Sequence, residues 1–171
     1  PETGPPAPAP SVLAEVLSLA ETDLGGSLGP ATASAGVPFT VVPVRDRAAL
    51  ARARLNAIAW ERHLRDAWGP HVYVVTDDAD DADARVRMFA PAMGIAEDPA
   101  TGGAAAALIA LLAARDAKGD ETLSWVVEQG IEIGRPSRLH LEADVRAGHL
   151  VAARVGGTAV RVSRGWMDDG T

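Results

Sequence analysis

Glu97-Asp98-Pro99-Ala100-Thr101-Gly102-Gly103 runs straight into Ala104–Ala114, a stretch without a single polar residue. A helix that is apolar on every side is normally buried. The stretch therefore predicts a core helix over Gly103–Arg115, with strands around it from both sides in sequence and with Ala106, Leu108, Ile109 and Leu112 closed to solvent. The first turn of any helix leaves N–H groups without intrahelical partners and carries the positive end of the helix dipole. Such an end at the rim of a core is a natural place for an anion, and glycines there let a ligand approach the backbone closely. The segment thus aims a carboxylate, Asp98, and an anion-binding cradle, Thr101, Gly102 and Gly103, at one spot.

Working outward, the pattern alternates helix and strand. Ser11 is placed to cap a helix through about Ala20, ended by Gly25, Gly26, Gly29 and Pro30. Val37–Val44 reads as a strand, with prolines only near its ends. Asp46 is placed to cap a long helix through about Trp68, with Leu50, Ala53, Ala57, Trp60 and Leu64 at helical spacing. His71–Thr76 and Arg85–Phe89 read as a hairpin pair around the acidic run Asp77–Asp83. After the apolar helix come four short strands, Leu123–Glu128, Arg138–Glu142, Leu150–Val155 and Thr158–Ser163. The Gly156-Gly157 pair between the last two is a two-residue hairpin signal. These elements predict an α+β fold, with a curled mixed or antiparallel sheet wrapped around a buried central helix and two amphipathic helices outside. Pro1–Pro10 holds five prolines and reads as an extended segment; residues 11–171 read as one domain.

Composition excludes several classes. The chain has 171 residues and a net charge of −7, which argues against non-specific binding to nucleic acid or an anionic membrane. It has no cysteine, so disulfides, thiolate metal sites and thiol nucleophiles are out. The apolar run is too short to span a bilayer, and no leader pattern is visible. The expectation is a cytoplasmic globular protein with no metal and no cofactor. His63, His71, His140 and His149 lack metal-ligand spacing and read as structural or surface residues. Asp77–Asp83 lacks the glycine and distal glutamate of a calcium loop and reads as a solvated hairpin tip. Trp60, Trp68, Trp125 and Trp166 read as core or interface residues, and Arg135 as a structural pairing at a turn.

Several of these segments together resemble the PhzF-like isomerases, the phenazine-biosynthesis family with the diaminopimelate epimerase fold. The resemblance rests on Arg87-Met88-Phe89-Ala90-Pro91 through Gly103, on Gln129-Gly130 with Gly134-Arg135-Pro136-Ser137, on Gly156-Gly157-Thr158-Ala159-Val160 and on Ser34-Ala35-Gly36-Val37-Pro38. It covers about Ser11–Trp166. The family has two pseudo-equivalent lobes with the active site between them, and this chain matches roughly the second. The first-lobe glutamate segment and Gly-His-Pro run have no counterpart here. Gly103 stands where the family commonly has serine, which removes a hydroxyl and keeps an N–H.

The resemblance implies a cofactor-free isomerase or epimerase-like enzyme acting on a small carboxylate. Such chemistry needs a base that removes a proton and an acid that returns it, and a positioned side chain contributes about 10²- to 10⁴-fold. Asp98 is the catalytic candidate. Thr101, Gly102 and Gly103 are the substrate-binding candidates, their N–H groups facing a carboxylate or developing enolate. Glu97 is expected to be solvent-exposed or supporting. From the residues alone, a helix cap followed by Pro99 at the first helical position is the favoured reading of Asp98; the resemblance turns it to an active-site role. The resemblance further implies a partner, either a first-lobe chain or a second copy in a dimer. The alternatives are a non-catalytic binding or assembly module that keeps the fold, and a thioesterase-like enzyme.

Overall fold

The computed structural model describes residues 1–168 and 170. In chain order the elements are β1 (Glu2–Thr3), α1 (Pro10–Leu17), β2 (Ala31–Ser34), β3 (Pro38–Pro43), α2 (Arg47–Arg52), α3 (Ala57–His63), β4 (His71–Thr76), β5 (Ala84–Ala90), β6 (Ile95–Asp98), α4 (Gly102–Asp116), β7 (Glu121–Gln129), β8 (Ser137–Arg146) and β9 (His149–Gly156). Among the described residues the strands form one mixed sheet in the order β1-β2-β3-β4-β5-β7-β8-β9, with β6 paired to β5.

Two neighbouring pairs, β3–β4 and β5–β7, are parallel. A parallel step needs a crossover, and the two crossovers carry helices that pack on opposite faces. α2 and α3 join α1 over one face, where Val42, Val44, Val72, Val74 and Phe89 meet Leu50, Ala59 and Leu64. α4 fills the other, where Val41, Tyr73, Val75, Val86 and Met88 meet Leu108, Ile109 and Leu112. Strands covered on both faces must be apolar on both, and β4 is buried along its whole length. β8 instead alternates buried and exposed positions, as one wet face requires.

The core helix lies where the apolar run places it. Leu108, Ile109 and Leu112 are essentially closed to solvent. Ala106 is only half-buried, because α4 is lapped by strands without being fully enclosed.

Other expectations are corrected. The helix expected from Asp46 to Trp68 is two helices. Asp46 caps α2 through the Ala49 N–H at 2.7 Å, and Asn56 caps α3 through the Ala59 N–H at 3.2 Å. Between them the Arg54 and Asn56 N–H groups donate to the Leu17 and Val16 carbonyls at 2.9 and 2.8 Å. Satisfying the open end of α1 takes this backbone out of helical geometry. Ser11 does not cap α1. Pro10 takes its first position, Ala9 precedes it, and no side chain caps it. Of the proline-rich segment, Glu2 and Thr3 join the sheet, pairing with Ser34 and Ala33, and Pro10 opens α1.

The last expected hairpin does not form. Thr158–Ser163 pairs with no strand among the described residues. A two-residue hairpin turn needs positive φ, and neither Gly156 nor Gly157 has it. The turn that does reverse the chain is Ala147-Gly148, with φ of 51° and 76°. It brings Arg146 opposite His149. Among the described residues no helix is long and apolar enough to cross a membrane.

Candidate active site

β6 and β7 share one edge of β5. β7 takes its first half, with Val86 opposite Gln129, and β6 its second, with Met88 opposite Asp98. α4 begins at the fork between them. Asp98 and Gln129 therefore meet at the seam although they lie far apart in the chain.

Gln129 is completely buried. Its Nε2 donates to the Asp98 carbonyl at 2.7 Å and to Thr101 Oγ1 at 2.9 Å, while its Oε1 accepts from the Thr101 N–H at 3.1 Å. Only one amide orientation satisfies all three. Because Thr101 Oγ1 accepts from Gln129, its own proton goes to Asp98 Oδ2, 2.6 Å away. The carboxylate is thus held by a hydroxyl whose direction is fixed from behind. Gly130 makes the close approach possible. Its φ is +80°, and a Cβ there would lie 2.3 Å from the Arg135 carbonyl oxygen and 2.8 Å from that of Pro99.

Asp98 is half-buried and bonds a side chain rather than capping the helix backbone. Thr101 occupies the N-cap position of α4, but no side chain caps the helix. Its hydroxyl and its N–H are both engaged in the seam. Thr101 therefore supports Asp98 instead of presenting a free N–H, a correction to the expected cradle. Gly102 is exposed and Gly103 half-buried. A Cβ on Gly102 would meet nothing, and one on Gly103 would rest 3.7 Å from the Phe39 ring. A groove of about 580 Å³ opens beside this helix end, bordered by Ala100, Gly102, Arg138, His140, Gly157 and Thr158. Gly102 lines it; Asp98, Thr101 and Gly103 do not.

Glu97 faces the other side of β6. It takes Arg87 Nε at 2.9 Å on Oε1 and NH2 at 2.7 Å on Oε2. The same guanidinium donates to the Leu50 and Ala53 carbonyls at 3.0 and 2.8 Å and lies 5.1 Å from the Phe89 ring centre. The two side chains are 3% and 11% exposed, so Glu97 is a buried support that ties β6 to β5 and α2, not a solvent-exposed group.

The remaining candidates fall into structural places. Arg135 holds its turn through its backbone, its N–H donating to the Gly130 carbonyl at 2.8 Å, while its side chain is exposed. Within the acidic run, Asp78 and Asp80 pair with Arg47. His63 contacts Glu15 at 3.2 Å. His140 and His149 are exposed. His71 is buried, stacked at a tilt on Phe39 with ring centres 5.9 Å apart. Burial lowers its pKa below the ordinary 6.5. The indole N–H of Trp60 donates to the Pro70 carbonyl at 2.7 Å, whereas Trp166 is 92% exposed.

Sequence reasoning missed Gln129 as a part of the site. The adjoining Gly130 was a signal, since a glycine held at positive φ against two backbones marks a close approach.

The family model described as phenazine biosynthesis-like protein matches residues 1–165. The chain belongs to that family. An uncharacterized isomerase of Mesorhizobium japonicum is 41% identical over 137 residues, which is 77% of this chain and 45% of that protein. The trans-2,3-dihydro-3-hydroxyanthranilate isomerase of Pseudomonas chlororaphis is 43% identical over 81 residues, 47% of this chain and 29% of that protein. Among solved structures, a PhzF-family phenazine biosynthesis protein of Bacillus anthracis superposes with a TM-score of 0.74 at 24% identity, over 84% of this chain and 49% of that one. A Pseudomonas aeruginosa protein described as a predicted epimerase gives 0.65 at 29% identity, over 92% and 56%. The sheet curled around α4 is thus the fold of this family. The chain spans about half the length or less of the relatives it matches.

Proposed function

We propose that this chain forms one wall of a cofactor-free isomerase site that moves a proton on a small carboxylate. The observation that carries the reading is the Asp98 carboxylate held by Thr101 and Gln129 at the start of an uncapped fifteen-residue helix. In it, Asp98 exchanges a proton with a carbon beside the substrate carboxylate or an unsaturated bond. The N–H groups of Gly102 and Gly103, at the positive end of α4, receive the negative charge that builds up on the substrate. A carboxylate that only gives or takes a proton leaves half the reaction undone. The other group comes from a first lobe or a second copy packed against this face. Membership of a family whose relatives are named isomerases supports this reading.

The test is proton exchange. Small unsaturated carboxylates, beginning with trans-2,3-dihydro-3-hydroxyanthranilate, are incubated in D2O with a polypeptide joining a first lobe to this chain, and with its Asp98→Asn variant. The expected result is deuterium at one substrate carbon, lost at least about 100-fold in the variant. Unchanged exchange in Asp98→Asn would remove Asp98 from the chemistry.

A further inference from the structure

His71 is buried at the end of the sheet where α4 begins. It is 4% exposed, and of its two ring nitrogens only Nδ1 is closed to solvent without a partner among the described residues. A stranded polar atom lowers stability, and an apolar side chain would fill the same place against Phe39 without one. A cost of this kind points to a role outside folding. We infer that His71 is a substrate-binding residue of the candidate site, its Nε2–H donating to the substrate oxygen that gains negative charge as a proton leaves carbon. The inference rests on the reading above, that Asp98 and the start of α4 work on a small carboxylate.

Strand register places the ring. Tyr73, Met88 and Asp98 stand opposite one another across β4, β5 and β6. Alternate residues of a strand share a face, so His71 lies on the face of Tyr73, which packs with α4, and nearer the strand end. Asp98 is on that face too, since Glu97 beside it turns to the other to meet Arg87. Phe39 links the ring to the helix start. Its ring centre is 5.9 Å from that of His71, and a Cβ on Gly103 would rest 3.7 Å from its edge. β4 and β6 are two strand spacings apart, about 10 Å, a separation that a small carboxylate bridges beside the Gly102 and Gly103 N–H groups. Tyr73, deeper on the same face, is completely buried and out of a ligand's reach.

Two properties suit the ring to this work. A buried N–H without a partner is the rarer arrangement, so the proton sits on Nε2 and Nδ1 keeps the lone pair. Enclosure also disfavours the charged ring, and a neutral imidazole donates a hydrogen bond without giving up its proton. It therefore stabilises the developing charge and leaves proton transfer to Asp98 and its counterpart.

Nuclear magnetic resonance of isotope-labelled histidine nitrogens tests it without turnover. The chain has four histidines, and loss of a signal in His71→Phe identifies this one. At neutral pH the ring should be the Nε2–H tautomer; a proton on Nδ1, or a charged ring, overturns the inference. The polypeptide joining a first lobe to this chain is then titrated with 3-hydroxyanthranilate, an aromatic carboxylate that cannot isomerise. The His71 Nε2 and the Gly102 amide should both shift. A Gly102 amide that shifts beside an unmoved His71 overturns the inference alone, and a probe that moves neither sinks the isomerase reading with it. In the deuterium exchange assay, His71→Phe should lose at least about 100-fold in kcat, as removal of one such donor does, with KM little changed. His71→Gln, whose amide sets an N–H near the place of Nε2, should recover part of the loss. Full exchange in His71→Phe overturns the inference. Should His71→Phe fail to fold, the tautomer, the titration and His71→Gln still decide. Unchanged exchange in Asp98→Asn beside a shifted His71 would remove Asp98 from the chemistry and keep His71 in the site.

Discussion

Gln129 Nε2 donates to the Asp98 carbonyl at 2.7 Å across a sequence separation of 31 residues. The amide that fixes the candidate acid–base residue thus sits on a different strand, behind it and out of solvent. Gln129→Leu keeps the volume and removes all three hydrogen bonds, leaving the Thr101 N–H and the Asp98 carbonyl without partners. A buried unsatisfied group costs about 1–3 kcal/mol, so urea unfolding should show a loss in that range. The deuterium exchange assay should fall with it, chiefly in kcat.

Glu97 and Asp98 are neighbours on opposite faces of β6, and their variants should separate. Glu97→Gln breaks a buried ion pair and leaves Arg87 uncompensated, at a cost of about 3–5 kcal/mol. Asp98→Asn keeps its size and an acceptor for Thr101, so its stability should change by less than about 1 kcal/mol. Chemical denaturation of the two variants side by side checks this. Equal losses would mean that Asp98 is also a structural support.

Two glycines of the site should respond in opposite ways. Gly103→Ser places a Cβ in ordinary contact with Phe39 and should stay within about 0.5 kcal/mol of the parent. Gly130→Ala forces a side chain into the left-handed region, at roughly 1–2 kcal/mol. It also drives its Cβ against two carbonyls, which adds overpacking of about 1–3 kcal/mol. Thermal melts of both variants give the comparison.

Leu108 is buried against the inner face of the sheet. Leu108→Ala should cost about 2–5 kcal/mol, the range for a core leucine, read as a lower urea midpoint with an unchanged slope.

His71 is 4% exposed and its Nδ1 has no hydrogen-bond partner. Its folded pKa lies below the 6.5 of the unfolded chain because burial disfavours the charged ring. As pH falls through 6.5 toward the folded value, the unfolded state takes up the proton first, so His71 costs stability on acidification and none above neutrality. His71→Phe should therefore lose less stability than the parent between pH 7.5 and pH 5.5. Parallel loss in both proteins would show that the ring titrates as in the unfolded chain.

The sequence by itself determined the core helix, the strands β3, β4 and β5, and the family, because these depend on local pattern. Ala104–Ala114 has no polar face, and Asp98 ahead of a glycine-rich helix start is read directly from neighbouring residues; that no side chain caps that start is a tertiary finding. What tertiary structure alone decided depends on partners distant in the chain. The break between α2 and α3 follows from the carbonyls at the end of α1. Glu97 became a buried support because Arg87 lies across the strand pair. Thr101 lost its free N–H to Gln129, a residue that enters the site only because β6 and β7 share one edge of β5. Thr158–Ser163 carries the local pattern of a strand yet remains unpaired among the described residues, since Gly156 and Gly157 lack the positive φ that would turn the chain back onto the open edge of β9.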